Sequence, residues 1–177
     1  MEQPVPLIDV DLMTGREVLQ ALIDLKMPSP PMAETMGFAL IAVSEGEAEF
    51  ECTITERHLN PFGTVHGGLA LALLDSAAGC ALHTLLLPDV GYASIETKAN
   101  YTAPLTLRSG TVVARGRVLS KGKTIATAEA KLYAEDGHMV AHGTSTLMIL
   151  PKAKWQTSLS VCEEDAIVKN HFLKARR

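Results

Sequence analysis

Large rings are scarce in this chain: aromatic residues make up 5% of its 177 positions, although 47% are apolar. The apolar mass therefore rests on Ala, Leu, Val and Ile. That implies close packing of small side chains, or more apolar surface than one monomer needs to hide. Cysteine is scarce too. Cys52, Cys80 and Cys162 are odd in number and widely spaced, which excludes a disulfide framework or a zinc-ligand pair. Cys52 and Cys80 sit in apolar stretches, where a free thiol acts as a small hydrophobe. Glycine and proline are at ordinary levels, 13 and 9 residues, which excludes collagen-like and low-complexity chains. Met1 to Asp11 lacks the positive charge and apolar run of a signal peptide, so the expected location is the reducing cytoplasm. A basic excess is also missing, and the net charge of −4 argues against nucleic acid as a partner.

What charge there is lies unevenly. Between Lys98 and Lys131 fall seven basic residues and one acid, Glu129. An acidic protein thus has one basic region, which either meets an anionic ligand or solvates the outer face of a sheet. The stretch from Gly67 to Leu87 is apolar enough to pose as a membrane span, but it contains Asp75 and His83. An Asp near a bilayer centre costs about 2.5–3.5 kcal/mol, so the segment reads as a buried helix and no membrane partner is expected.

Periodicity sets the element order. Thr14 to Lys26 reads as a helix with Thr14 as cap, ended by Pro28, Pro30 and Pro31. Met36–Val43 and Glu47–Ile54 read as strands joined at Glu45-Gly46. After a loop, a long apolar helix runs from about His66 to Leu87, stopped by Pro88 and Gly91. Four strands follow, at about Ala93–Tyr101, Thr111–Leu119, Lys123–Ala134 and Met139–Leu150. Small residues on one face of the last two let a helix approach closely. The pattern predicts an α+β fold, an antiparallel sheet of six strands wrapped around a buried helix. Three parts are expected: residues 1–35 as an N-terminal helix and Pro-rich linker, 36–150 as the main domain, and 151–177 as a helical tail.

The densest chemistry lies between Asn60 and Asp75. His66-Gly67-Gly68 opens the long helix, and helix N-termini leave backbone N–H groups bare at the positive dipole end. Such a site suits a developing oxyanion, and equally a tight turn packed on a sheet. Asp75 follows the six-residue apolar run Leu69–Leu74. A carboxylate there is either hydrogen-bonded structure or a base or nucleophile lining a pocket. Gly67 and Asp75 are eight residues apart, or about 12 Å along one helix. Both can act on one reacting group only if they come from different subunits, which predicts a site across a twofold dimer.

The stretch resembles the hotdog-fold thioesterases of the phenylacetic-acid-degradation type, including the acyl-CoA thioesterase 13 group. The likeness covers about Met36 to Leu150: the Asn, Gly, His-Gly-Gly and acid of Asn60–Asp75, then Ser94, Tyr101-Thr102-Ala103-Pro104 and the Lys121-Gly122-Lys123-Thr124 turn. The resemblance implies hydrolysis of an acyl-CoA thioester. Asp75 would attack the carbonyl or activate water, and Gly67 N–H would polarise the carbonyl oxygen. Asn60 would help hold water or the carboxylate, His66 would sit near the sulfur or help shape the oxyanion site, and Ser94 would orient the water. It places coenzyme A near Tyr101–Pro104 and Ser120–Thr124. Arg115 and Arg117 share a strand face and either assist there or pair with acids.

The acyl group is expected along the helix, against Gly68, Leu71, Leu74 and Ala78. A homodimer or a dimer of dimers is expected. No cofactor and no metal are expected, since no His, Asp and Glu group has ligand spacing. The alternatives are a non-catalytic acyl-CoA sensor or a scaffold on the same fold.

Overall fold

The computed structural model describes residues 10–151. The tail helix expected over Ser160–Arg177, and Cys162 with it, lie outside the described residues. Helix α1 spans Gly15–Ile23, and a capping box starts it. Thr14 Oγ1 accepts the Glu17 N–H at 3.3 Å, and Glu17 Oε2 accepts the Thr14 N–H at 2.8 Å. The proline-rich stretch that follows is not all linker. Pro31 takes the first position of a short helix α2, Pro31–Met36, where its fixed φ and missing N–H cost nothing.

Strands β1 (Phe38–Ser44) and β2 (Glu47–Thr53) form a hairpin about Glu45-Gly46. The long helix α3 is Gly67–His83, and β3 is Val90–Tyr101. Strands β4 (Thr111–Lys121), β5 (Ile125–Tyr133) and β6 (Met139–Pro151) complete the sheet. All pairings are antiparallel and the sheet order is β1-β2-β4-β5-β6-β3. Strand β3 thus pairs with β6 on one side and forms one edge of the sheet.

The sheet curls around α3, whose Leu73, Leu74, Ala77 and Leu82 are fully buried. Each such leucine stabilises the fold by about 1.5–3 kcal/mol. The facing strands present Ala114, Gly116, Ala128 and Ala130. At Gly116 a Cβ would stand 2.2 Å from the Ala77 carbonyl oxygen, so only glycine allows that approach. The scarcity of rings is what makes this close contact possible.

Helix α3 ends four residues before Leu87. Thr84 Oγ1 donates to the Ala81 carbonyl at 2.7 Å and accepts the Gly46 N–H at 2.8 Å, which ties the helix end to the β1–β2 turn. Leu85 and Leu86 then bond to carbonyls three residues back, a tighter turn than the α-helix. Helix α1 docks beside this end, with the Gly15 N–H donating to the Leu86 carbonyl at 3.0 Å. Among the described residues no helix is long and apolar enough to cross a membrane.

Candidate active site

The functional candidates fall into two groups along α3. The first is at its N-terminus. His66 is the N-cap, and its Nδ1 accepts the Gly68 N–H at 2.9 Å. That leaves the proton of a neutral His66 ring on Nε2. A Cβ on Gly68 would meet His66 Nδ1 at 2.9 Å, so the second glycine makes room for the cap. The first glycine makes room for Tyr101, whose ring a Cβ on Gly67 would meet at 3.2 Å. Tyr101 Oη donates to the Gly67 carbonyl at 3.0 Å. The Gly67 N–H has no acceptor among the described residues, as expected of the first position of a helix. Gly67 opens on a cleft of about 370 Å³ lined by His66, Ala70, Tyr101, Pro104 and Val140.

Asn60 belongs to the loop before this helix. Its Oδ1 accepts the N–H groups of Phe62 (2.9 Å) and Thr64 (3.3 Å), and its Nδ2 donates to Thr64 Oγ1 at 2.8 Å. The side chain folds its own turn, which carries the chain into His66.

The second group is in the middle of α3. Asp75 Oδ1 accepts hydrogen bonds from Ser94 Oγ at 2.9 Å and Thr97 Oγ1 at 2.5 Å. Thr97 in turn meets Ser145 Oγ at 2.9 Å, and that buried hydroxyl donates to the Glu96 carbonyl at 3.1 Å. Ser94 and Thr97 lie three apart and would face opposite sides of a regular strand. A β-bulge between Ser94 and Glu96 turns both towards Asp75. Sequence alternation carries no sign of that bulge, so Thr97 and Ser145 escaped the sequence reading.

Other candidates separate. Gly68 and Leu71 line a shallow concavity with Asp75, Ser94 and Thr97, whereas Leu74 and Ala78 turn inward and are buried in the core. The Ser120–Thr124 turn lies at the opposite end of the sheet from Tyr101–Pro104. Register pairs Tyr101 with Ala141 but Ile125 with Met148, about 23 Å further along β6. Gly122 N–H is already taken by the Ile125 carbonyl at 2.8 Å. Arg115 and Arg117 pair with Glu49 (3.4 Å) and Glu129 (2.7 Å), so both serve the outer face of the sheet. The exposed Lys121 and Lys123 remain as the basic groups of the turn.

Tyr92 lies on Gly79 one turn beyond Asp75, with its ring 5.7 Å from that of His83. Burial pushes the Cys80 thiol up to about 12, so it is no thiolate nucleophile at neutral pH. Burial also lowers the pKa of His83, whose Nδ1 has no partner among the described residues.

Residues 62–141 match the thioesterase superfamily model. The acyl-coenzyme A thioesterase 13 of Mus musculus is 30% identical over 60% of this chain and 76% of its own length. The 1,4-dihydroxy-2-naphthoyl-CoA hydrolase of Listeria monocytogenes is 28% identical over 70% of this chain and 98% of its own. Among solved structures, a thioesterase of Haemophilus influenzae superposes with a TM-score of 0.68 at 25% identity, covering 76% of this chain and 91% of that one. The phenylacetic acid degradation protein PaaI of Thermus thermophilus gives 0.61 at 29% identity, covering 67% and 98%. The chain belongs to the thioesterase superfamily and has its hotdog fold.

Proposed function

We propose that the protein hydrolyses acyl-CoA thioesters to the free acid and coenzyme A, at a site shared between two subunits. One observation carries the reading. The carboxylate held by Ser94 and Thr97 and the bare N–H of Gly67 are too far apart on one rigid helix to touch one carbonyl. Strand β3 offers the means of joining them. It is an edge strand with Ile95 and Tyr101 half exposed, which suits cover by a second copy. Antiparallel pairing of two such edges reverses one protomer against the other. The Tyr101 end of one then approaches the Ser120–Thr124 end of its partner. That arrangement turns the separation of the two segments within a protomer into a single groove for coenzyme A.

In the reaction, the thioester oxygen accepts the N–H of Gly67 of the partner subunit. Asp75 attacks the carbonyl carbon or takes a proton from the water that does. The C–S bond breaks and the sulfur leaves as a thiolate, whose conjugate acid has a pKa near 8.5, so no dedicated general acid is needed; where Asp75 is the attacking group, water then hydrolyses the acyl anhydride, releasing the free acid and restoring the carboxylate. His66 and Asn60 set the helix entry, and Ser94 and Thr97 aim the carboxylate. The test is free-thiol release from a panel of acyl-CoA substrates. Asp75→Asn should lose about 10²–10⁴-fold in kcat with its melting temperature kept. Retained turnover in that variant rejects the mechanism, and no turnover of any acyl-CoA by the native chain rejects the reading.

A further inference from the structure

We propose that the acyl chain of the substrate is an aliphatic chain housed in the cavity beneath α1, and that Leu22 on that helix limits its length. The inference rests on the acyl-CoA hydrolase reading above. The cavity, about 270 Å³, lies between α1, the β1–β2 hairpin and α3. Asp75 and Ser76 stand on its α3 wall. The same Asp75 also lines the outer concavity that holds Gly68, Ser94 and Thr97. Asp75 is thus the partition between a polar-lipped hollow outside and an apolar one inside. A carbonyl carbon brought to Asp75 from outside has this apolar space behind that residue to take the chain bonded to it.

The walls say what kind of chain fits. Leu19 and Leu22 of α1 face Phe38 and Phe50 of the hairpin, two rings already packed edge to face at 5.7 Å. The polar groups of Cys80 and Tyr92, both on the wall, interact with each other. Ser29 and Ser76 also line it, and apart from Asp75 the remaining lining residues are apolar. The volume holds about nine groups the size of a water molecule, which is close to that of a methylene. A second hollow, about 630 Å³, lies beyond Tyr92 and is lined by Val18 and His83. It reaches Ser94, the hydrogen-bond partner of Asp75, but is not lined by Asp75 itself, so a variant on its wall tests it separately.

The sequence position of Leu22 makes the proposal testable, because Val18 lies one turn earlier on the same helix and lines the other hollow. Thiol release is measured for acetyl-, butyryl-, octanoyl-, decanoyl-, palmitoyl- and benzoyl-CoA with the native chain, Leu22→Trp, Leu22→Ala and Val18→Trp, each checked for folding by thermal melting. The native chain should prefer octanoyl- or decanoyl-CoA. Leu22→Trp should lose about tenfold or more in kcat/KM on decanoyl-CoA while acetyl-CoA is turned over as before. Leu22→Ala should move the optimum to longer chains, which keeps the proposal open to test if the Trp variant does not fold. Val18→Trp should leave the profile in place. A uniform change across all chain lengths in both Leu22 variants overturns the proposal, as does shortening caused by Val18→Trp or a native preference for benzoyl-CoA. No turnover of any acyl-CoA by the native chain overturns the hydrolase reading itself, a result distinct from these.

Discussion

The two ends of the proposed chemistry are built from different materials. At the start of α3 the working groups are backbone: the Gly67 N–H, a carbonyl held by Tyr101, and two glycines that let rings lie against the chain. In the middle of α3 they are side chains: Asp75, Ser94, Thr97 and, behind them, Ser145. A backbone site is fixed by the helix that makes it and needs little support. A side-chain site has rotamers to lose, so a chain of hydroxyls is needed to hold the carboxylate. The first region should therefore tolerate changes around it, and the second should not.

The largest expected effect breaks the two regions apart. Gly67→Ala puts a methyl into the Tyr101 ring and disturbs the oxyanion donor. Asp75→Asn removes the carboxylate. Each homodimer should be nearly inactive. Mixed in equal amounts and allowed to exchange, they should recover about a quarter of native activity, since half the dimers are then mixed and each has one intact site. No recovery, with exchange confirmed by mass spectrometry of tagged subunits, would mean that both groups act within one subunit or that neither acts.

This asymmetry also decided what could be read in the sequence. The His66-Gly67-Gly68 entry is a local motif, and local rules of helix capping make it visible. Asp75 was visible because it is the one acid within an apolar run. The sheet was legible because alternation in β5 and the small residues facing α3 are direct consequences of one-sided burial. The partners of Asp75 were only half legible. Ser94 came from resemblance, while Thr97 depends on a bulge that no periodicity announces. The end of α3 is not legible in the sequence for a similar reason. Thr84 stops the helix through a contact with Gly46, 38 residues away in sequence, and such contacts leave no local mark. Leu74 and Ala78 were expected against the substrate because α3 is apolar all round, so hydrophobicity alone does not say which face is core.

A smaller effect sharpens the side-chain end. Thr97→Val removes the shorter of the two hydrogen bonds to Asp75 and the contact with Ser145, which keeps its bond to the Glu96 carbonyl. A hydrogen bond to a charged group is worth about 1.5–3 kcal/mol, so kcat should fall about 10- to 100-fold. Ser94→Ala should cost less, since Ser94 is exposed and water can replace its hydroxyl. Thr97→Ser should restore most of the rate, and KM should move little in all three. Equal losses in the two deletions would mean that the bulge, and not the hydroxyls, positions the carboxylate.

The smallest effect sharpens the backbone end. Tyr101→Phe keeps the ring against Gly67 and removes only the hydrogen bond to the Gly67 carbonyl. A neutral hydrogen bond contributes about 0.5–1.5 kcal/mol, and Tyr101 is half exposed, so the low end of that range applies. The helix itself still fixes the direction of the Gly67 N–H, so kcat should fall only about two- to threefold. Tyr101→Ala should behave differently. It removes a wall of the 370 Å³ cleft and should act mainly on KM for coenzyme A esters. A hundredfold loss of kcat in Tyr101→Phe would place the phenol hydroxyl in the chemistry itself. The start of α3 would then be a side-chain site like its middle, and the contrast between the two would not hold.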